Sequence, residues 1–379
     1  MTTHRSIPRL CVRAGLAVAA AWAGASHASD PAELLAAIRS GPARPDLAVR
    51  VQGFRLGTGL GAVVLDDGVL VPAEPVAGRP VEWVFLGAGR AVMEPPDEVE
   101  RAQMELFTGA PVLDERFDQA VFAIALDAAS DALMRLPRAA GDPRIGEAAA
   151  LLEQWRASPE RRLLDADARL LRDAVDDPLG RGFFSGYFRG RELGRFLWVV
   201  DPLAEEQVTI GRFVAAELTD PERRRAERHL EREQRRGKLI GVVADDLGIW
   251  DTWVSTSLRA ADGALTPGTT GVEPRHYLID ATMDGKQLEL TAVARVELDV
   301  LVDGLRAVTL DIGTELVPQA VRDGDGQALA FEHSWDELTV LLDRPAAAGS
   351  SLTISMARLA SFTNRSRTVW SRKAMSPSK

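Results

Sequence analysis

The chain is nearly devoid of cysteine: one residue in 379, Cys11, lies close to the N-terminus. Disulfide frameworks and cysteine-based zinc sites are therefore excluded, and the remainder must rely on its core for stability. Histidine is also scarce, five in all, of which His229, His276 and His333 follow the N-terminal segment. No apolar run reaches the roughly 18 residues that a transmembrane helix needs. A surplus of positive charge is missing as well. The formal net charge is −10, and an acidic balance repels phosphate backbones and anionic lipid surfaces, so nucleic acid is not an expected partner.

The first 28 residues have the pattern of a secretory signal peptide. Arg5, Arg9 and Arg13 form a positive segment, Leu16 to Gly24 is a short apolar run, and Ser26-His27-Ala28 supplies small residues at the cleavage positions. Cleavage near Ala28 is expected, placing the mature protein in the periplasm or outside the cell with no transmembrane span; a retained N-terminal anchor is the alternative. Without the three leader arginines the net charge becomes −13. The mature chain has about 350 residues, enough for a large core and long enough to divide in two.

The pattern along the chain predicts a mainly β protein with some α: a mixed α+β leader domain over 31–262 followed by an antiparallel β-sandwich over 273–356. The leader opens with short apolar runs at 47–56, 61–65, 69–71, 81–86 and 90–93, separated by Gly, Pro and Asp turns. Asp97 caps a predicted helix through about Leu106, and a strand is expected at 120–126. Helical spacing returns over 144–175 through Leu151, Leu152, Trp155, Leu163, Leu164, Leu170 and Leu171. Strands are expected at 183–188, 195–200, 207–216 and 239–250, with a charged helix at 221–238. The Gly/Pro-bearing stretch 260–273 lacks both periodicities, and it is the expected domain boundary and the most protease-sensitive internal segment.

From His276 onward the alternation is cleaner. Leu288, Leu290, Ala292, Ala294, Val296, Leu298 and Val300 occupy one face of a long predicted strand. Asp284-Gly285 and Asp303-Gly304 mark turns, and Asp323-Gly324-Asp325-Gly326 marks a hairpin. Leu352 to Met356 completes six or seven strands. After Met356 the chain turns basic, with Arg358, Arg365, Arg367, Arg372, Lys373 and Lys379 and no acid. Residues 357–379 are expected to be a disordered tail, either a functional one or a frameshift product.

The run HYLIDATMDGKQLELTAVARVELDVLVDGLRAVTLDIGTELVPQAVRDGDGQALAFE, beginning at His276, resembles the N-terminal sandwich of the membrane alanyl aminopeptidase family of gluzincin zinc metallopeptidases. The stretch VFLGAGRAVMEPPDEVERAQMELFTG at 84–109 is similar to a leader domain ahead of that sandwich in some large bacterial members. In that family a Gly-x-Met-Glu-Asn loop binds the free amino terminus, and H-E-x-x-H with a later Glu holds zinc. Neither motif occurs here. Ala91-Val92-Met93-Glu94-Pro95 echoes the loop at only two positions and reads as a strand end.

No catalytic, cofactor-binding or metal-binding residue is therefore assigned, and no cofactor is expected. His229 and Glu233 share a helical spacing but lie among arginines, as in a solvated ion-pair helix. Gly57 to Ala62 matches a loose dinucleotide fingerprint, yet a strand pattern follows it. Asp323 to Gly326 lacks the later ligands of a calcium loop. Ser185 lacks nucleophile-elbow spacing. The acidic pairs Asp176-Asp177, Glu205-Glu206 and Asp245-Asp246 occur in a chain with 55 acids, and Trp250 and Trp253 read as core rather than as a sugar platform. Two functions stay open: the non-catalytic N-terminal portion of an exported zinc aminopeptidase-like protein, or a stand-alone secreted or periplasmic interaction module. The first predicts an apolar sandwich face left open for docking, the second a self-contained surface. Either implies an unidentified peptide or protein partner.

Overall fold

The computed structural model describes residues 31–361, except 126, 159, 162–163, 176–181, 205, 216–247, 260–270, 285–288, 313–315 and 335–336. The expected leader peptide, the charged helix at 221–238, the stretch 260–270 and residues 362–379 lie outside the described residues.

Alternating apolar residues build an antiparallel sheet from β1 (Val49–Gly57), β2 (Gly61–Pro72), β3 (Glu82–Met93), β4 (Leu113–Ile124), β5 (Phe184–Gly190), β6 (Arg195–Val200), β7 (Val208–Ala215) and β8 (Gly248–Thr256). The eight strands pair in sequence order. Both faces are covered, so neighbouring residues enter different cores. Trp83, Phe85, Phe117, Phe122, Phe188, Phe196, Trp198 and Trp253 fill one face. Their rings meet closely, with Phe188 and Phe196 stacked at 4.8 Å and Phe117 edge-on to Phe188 at 4.9 Å. Such pairs add about 0.5–1.5 kcal/mol each beyond area burial.

Val84, Leu86, Val121, Ala123, Leu197 and Val199 point to the opposite face. There they meet α1 (Pro31–Ser40), α4 (Ala148–Arg156) and α5 (Ala166–Val175), which bury Ile38, Leu152, Trp155, Leu170 and Leu171. Helix α2 (Glu98–Thr108) starts at Asp97, whose side chain accepts from the Glu100 N–H, and ends at Gly109 in the left-handed region. It packs on β8, with Gln103 Nε2 donating to the Thr252 carbonyl at 2.8 Å and the Ser255 N–H donating to Glu100 at 3.1 Å. Helix α3 is short (Asp127–Met134) and contributes Leu133 to the aromatic core.

The second sheet contains β9 (Val272–Asp284), β10 (Glu289–Val300), β11 (Leu305–Asp311), β12 (Val317–Arg322), β13 (Ala328–Ser334), β14 (Glu337–Ala346) and β15 (Ser351–Ser361). Their order is β11-β14-β13-β12-β15-β10-β9, antiparallel throughout. Val296 and Leu298 of β10 and Ile354 of β15 share one core with Val308, Leu338 and Val340 of β11 and β14. The sheet thus closes over its own apolar row in the manner of a sandwich.

Three expectations require correction. The breaks predicted within 61–71 and 81–93 are bulges: β2 and β3 are each continuous over 12 residues, with register shifts between Leu65 and Asp67 and between Leu86 and Gly89. A bulge adds one residue without ending the ladder, so the Asp and Gly residues that read as turns stay within the strands. The last strand does not stop at Met356 but pairs with β10 through Ser361, opposite Glu289. Helices α1 and α3 were not foreseen in the sequence, although Leu34, Leu35 and Ile38 in α1 carry the helical spacing.

Candidate functional site

Where the two sheets meet, arginines of α4 and α5 and the segment before α5 are matched to buried carboxylates. Glu82, only 1% exposed, lies 2.9 Å from Arg156, pairs with Arg161, and accepts from Trp155 Nε1 at 3.1 Å. Arg161 also reaches Asp167 at 2.6 Å, and Arg39 bridges Asp167 at 3.0 Å and Glu332 of β13 at 2.6 Å. Deeper in, Asp201, 2% exposed, takes Arg169 at 2.6 Å and Arg172 at 3.1 Å, while Arg172 also contacts Asp173 at 2.9 Å. Remaining acceptor capacity is used by backbone: Phe183 N–H donates to Asp173 and Leu203 N–H to Asp201.

These environments separate the carboxyls. Burial pushes Asp201 upward, but Arg172 and Arg169 outweigh it and hold the group below the usual carboxylate range. Asp173 is raised, burial outweighing Arg172. Glu337 at the start of β14 is raised by burial against the pull of Arg169 and Arg172, and Glu160 is raised by burial. Burial also lifts the Tyr187 phenol to about 12. The cluster's inner side chains, those of Glu82, Arg156, Arg161, Arg172, Asp173 and Asp201, are buried and its arginines are paired, as in an interior ion-pair network that fixes packing, while Arg39 at the rim is exposed.

The residues singled out in the sequence are dispersed. Gly57 to Ala62 forms the β1–β2 connection, with Thr58 N–H donating to the Gly61 carbonyl, and no helix follows. Asp323 accepts from the backbone of Asp325 and Gln327, the geometry of a hairpin turn. Ser185 is fully buried in β5, and His333 Nε2 is buried; among the described residues neither its hydroxyl nor this nitrogen has a partner. His276 is exposed on β9. Trp253 is core and tilts against Phe196 at 5.6 Å, while Trp250 is partly buried. Ala91, Val92 and Met93 end β3. Glu206 pairs with Ser255. His229, Glu233, Asp176, Asp177, Glu205, Asp245 and Asp246 lie outside the described residues. Among the described residues no three His, Cys, Asp or Glu side chains gather as a metal site.

Two surface features remain. A shallow cleft of about 270 Å³ lies over the bulges of β2 and β3, lined by Val64, Asp66, Gly89, Arg90, Arg116 and Arg191. Arg90 is held by Asp114, and with Asp66 and Glu192 three acids stand near the three arginines around the opening.

The second feature is the outer edge of the sandwich. Strand β9 ends the ladder, and Glu273 to Met283 are all exposed. Tyr277 faces Val296 of β10 in register and Ile279 faces Ala294, so both continue the core-facing row. The second layer does not cover them: Tyr277 is 55% exposed and Ile279 62%, whereas Val296 is buried. On the opposite face Leu278, 58% exposed, lies in register with Arg295 and next to the exposed Val293. Met283 extends the apolar row along the strand. This overhang, apolar along its core-facing row, carrying Leu278 on the other face and, among the described residues, paired on one side only, is the candidate functional site. Its apolar alternation was legible in the sequence; its exposure was not, because exposure depends on where the second layer ends.

No known family model matches the chain, and no curated protein does. Among solved structures, a two-domain M1 zinc metallopeptidase mutant bound to L-arginine aligns at 16% identity over 25% of this chain and 22% of its own, with a TM-score of 0.23. The M1 zinc metallopeptidase of Deinococcus radiodurans aligns at 15% identity over 25% and 22%, with a TM-score of 0.22. The aligned part therefore spans less than a quarter of either metallopeptidase. Among the described residues no helix is long and apolar enough to cross a membrane.

Proposed function

We propose that this chain is the non-catalytic N-terminal portion of an exported zinc aminopeptidase-like protein, and that it works by docking another protein surface along β9. The observation that carries the reading is the exposed row Tyr277, Ile279 and Met283 on one face of β9, with Leu278 exposed on the other. A contiguous apolar edge costs solubility unless a partner covers it. Export rests on the leader pattern of residues 1–28, with a periplasmic or secreted location following from it. The absence of the zinc and amino-terminus motifs from the sequence supports a non-catalytic role. Its acidic charge disfavours nucleic acid as the partner.

The test is elemental analysis of the dialysed full chain together with assays on aminoacyl substrates. No stoichiometric zinc and no cleavage are expected; one tightly held zinc per chain with aminopeptidase turnover would sink the proposal. A stand-alone secreted interaction module is the second reading. It is favoured by the way Ala307 and Leu341 of the sandwich enter the core beneath α1, α4 and α5, giving the two sheets a shared interior.

A further inference from the structure

Resting on the docking reading above, we infer that the partner of β9 is a second copy of the same chain, joined edge to edge and antiparallel about a two-fold axis at Leu278. Among the described residues no strand pairs with the far side of β9. Two copies related by a two-fold axis normal to the sheet extend one continuous sheet only if each facing pair differs by an even number of positions, since side chains alternate faces with period two. That condition leaves a short set of registers, and the residues choose among them.

Centred on Asp280, the axis sets a carboxylate against itself. Centred on Ile279, Leu278 opposes Asp280, an aliphatic side chain against an acid. Centred on Tyr277, Arg275 opposes Ile279 and His276 opposes Leu278. Centred on Leu278, residues 276 to 280 all have a matching neighbour: Leu278 meets its own copy, the imidazole of His276 faces the carboxylate of Asp280 twice, and Tyr277 faces Ile279 twice on the other side. Aromatic against β-branched and cation-forming against acidic are favourable cross-strand pairs. Arg275 is already neutralised by Asp299 within its own chain, 2.5 Å away, and faces only Ala281 in this register. Pro274 lacks an N–H and limits the shared ladder to about residues 275–281.

The joined edge would place the two uncovered rows side by side. Tyr277 and Ile279 of each copy then form one four-residue apolar cluster continuous with the sandwich core through Val296 and Ala294.

The experiment uses the full chain. Sedimentation equilibrium should show a reversible dimer at micromolar concentration, and Leu278→Lys, which sets like charges on the axis, should weaken it at least about tenfold. The register is read by cross-linking in a Cys11→Ser background: Leu278→Cys should oxidise readily to a covalent dimer, and Ile279→Cys and Asp280→Cys much more slowly. A wild-type monomer at tens of micromolar, a dimer indifferent to Leu278→Lys, or equal cross-linking at all three positions would each overturn the inference. Circular dichroism confirms folding of each variant, and the wild-type measurement stands without them. A monomer that still captures an isolated M1 aminopeptidase catalytic domain through β9 overturns only the second copy; a monomer that binds nothing sinks the docking reading too.

Discussion

Arg172 grips Asp201 with two guanidinium nitrogens, at 3.1 and 3.3 Å, across 29 positions of sequence. This contact ties α5 to the end of β6 inside the protein, and it sets how the interior responds to substitution.

Asp201→Asn should destabilise the fold by about 3–5 kcal/mol, because Arg172 and the neighbouring Arg169 would be left buried without their anion. Urea unfolding of the variant and the parent measures this. A loss below about 1 kcal/mol would mean that water or another acid takes over the carboxylate's role.

Glu337 should give the opposite result. Its carboxyl is raised above the ordinary glutamate value of about 4.5, burial being the largest cause, so the folded state holds a proton that the unfolded chain has released. Stability therefore falls as pH rises from about 4.5 through the raised value. Glu337→Gln stays neutral and should be more stable than the parent above that window, by about 1 kcal/mol, with the gain vanishing as pH approaches 4. Thermal melts across pH 4 to 8 read the difference; a variant less stable at pH 7 would contradict the assignment.

A methyl group at Gly89 would sit 2.5 Å from Phe117 Cζ and 3.0 Å from the Val64 carbonyl oxygen. Gly89→Ala should therefore cost about 1–3 kcal/mol through displacement of the aromatic ring. Gly57→Ala is the control, since nothing lies within 4 Å of its added carbon. Comparable losses at the two sites in chemical denaturation would remove the packing explanation.

At the start of α2, Asp97→Ala removes the acceptor for the Glu100 N–H, which lies 3.0 Å away. The expected cost is about 1 kcal/mol. Because Glu100 also receives the Ser255 N–H, hydrogen exchange should quicken at both residue 100 and residue 255. Quickening confined to α2 would show that the helix and β8 open independently.

The helix cap at Asp97 and the hairpin at Asp323 were legible in the sequence because each is decided within four residues. Strands β10 and β11 were legible for a related reason, one buried face imposing alternation on the local sequence, and β9 shows the same alternation although its residues are exposed. The bulges were not, since Gly87 and Gly89 look like turn residues until the backbone of Asp67 is seen against Gly87 and Phe117 across Gly89. The charge cluster was hidden further still. Arg39 and Asp167 are 128 positions apart, and nothing near either residue marks it as a partner of the other. The sequence showed that the sandwich carries apolar side chains at 277 and 279, but their exposure follows from where the other layer lies, since among the described residues no strand covers them.

The strand orders of the two sheets have a kinetic consequence. In the first, every strand lies beside the one made just before it, so each can add to an edge that already exists as the chain emerges. In the second, β10 must wait for β15, with Asp299 pairing to Ser351 and Glu289 to Ser361. Closing that long loop before any contact repays it makes the sandwich the slow step of folding. Until β15 arrives, β10 as well as β9 offers an open edge, and the nascent or refolding chain is most vulnerable to wrong partners during that interval.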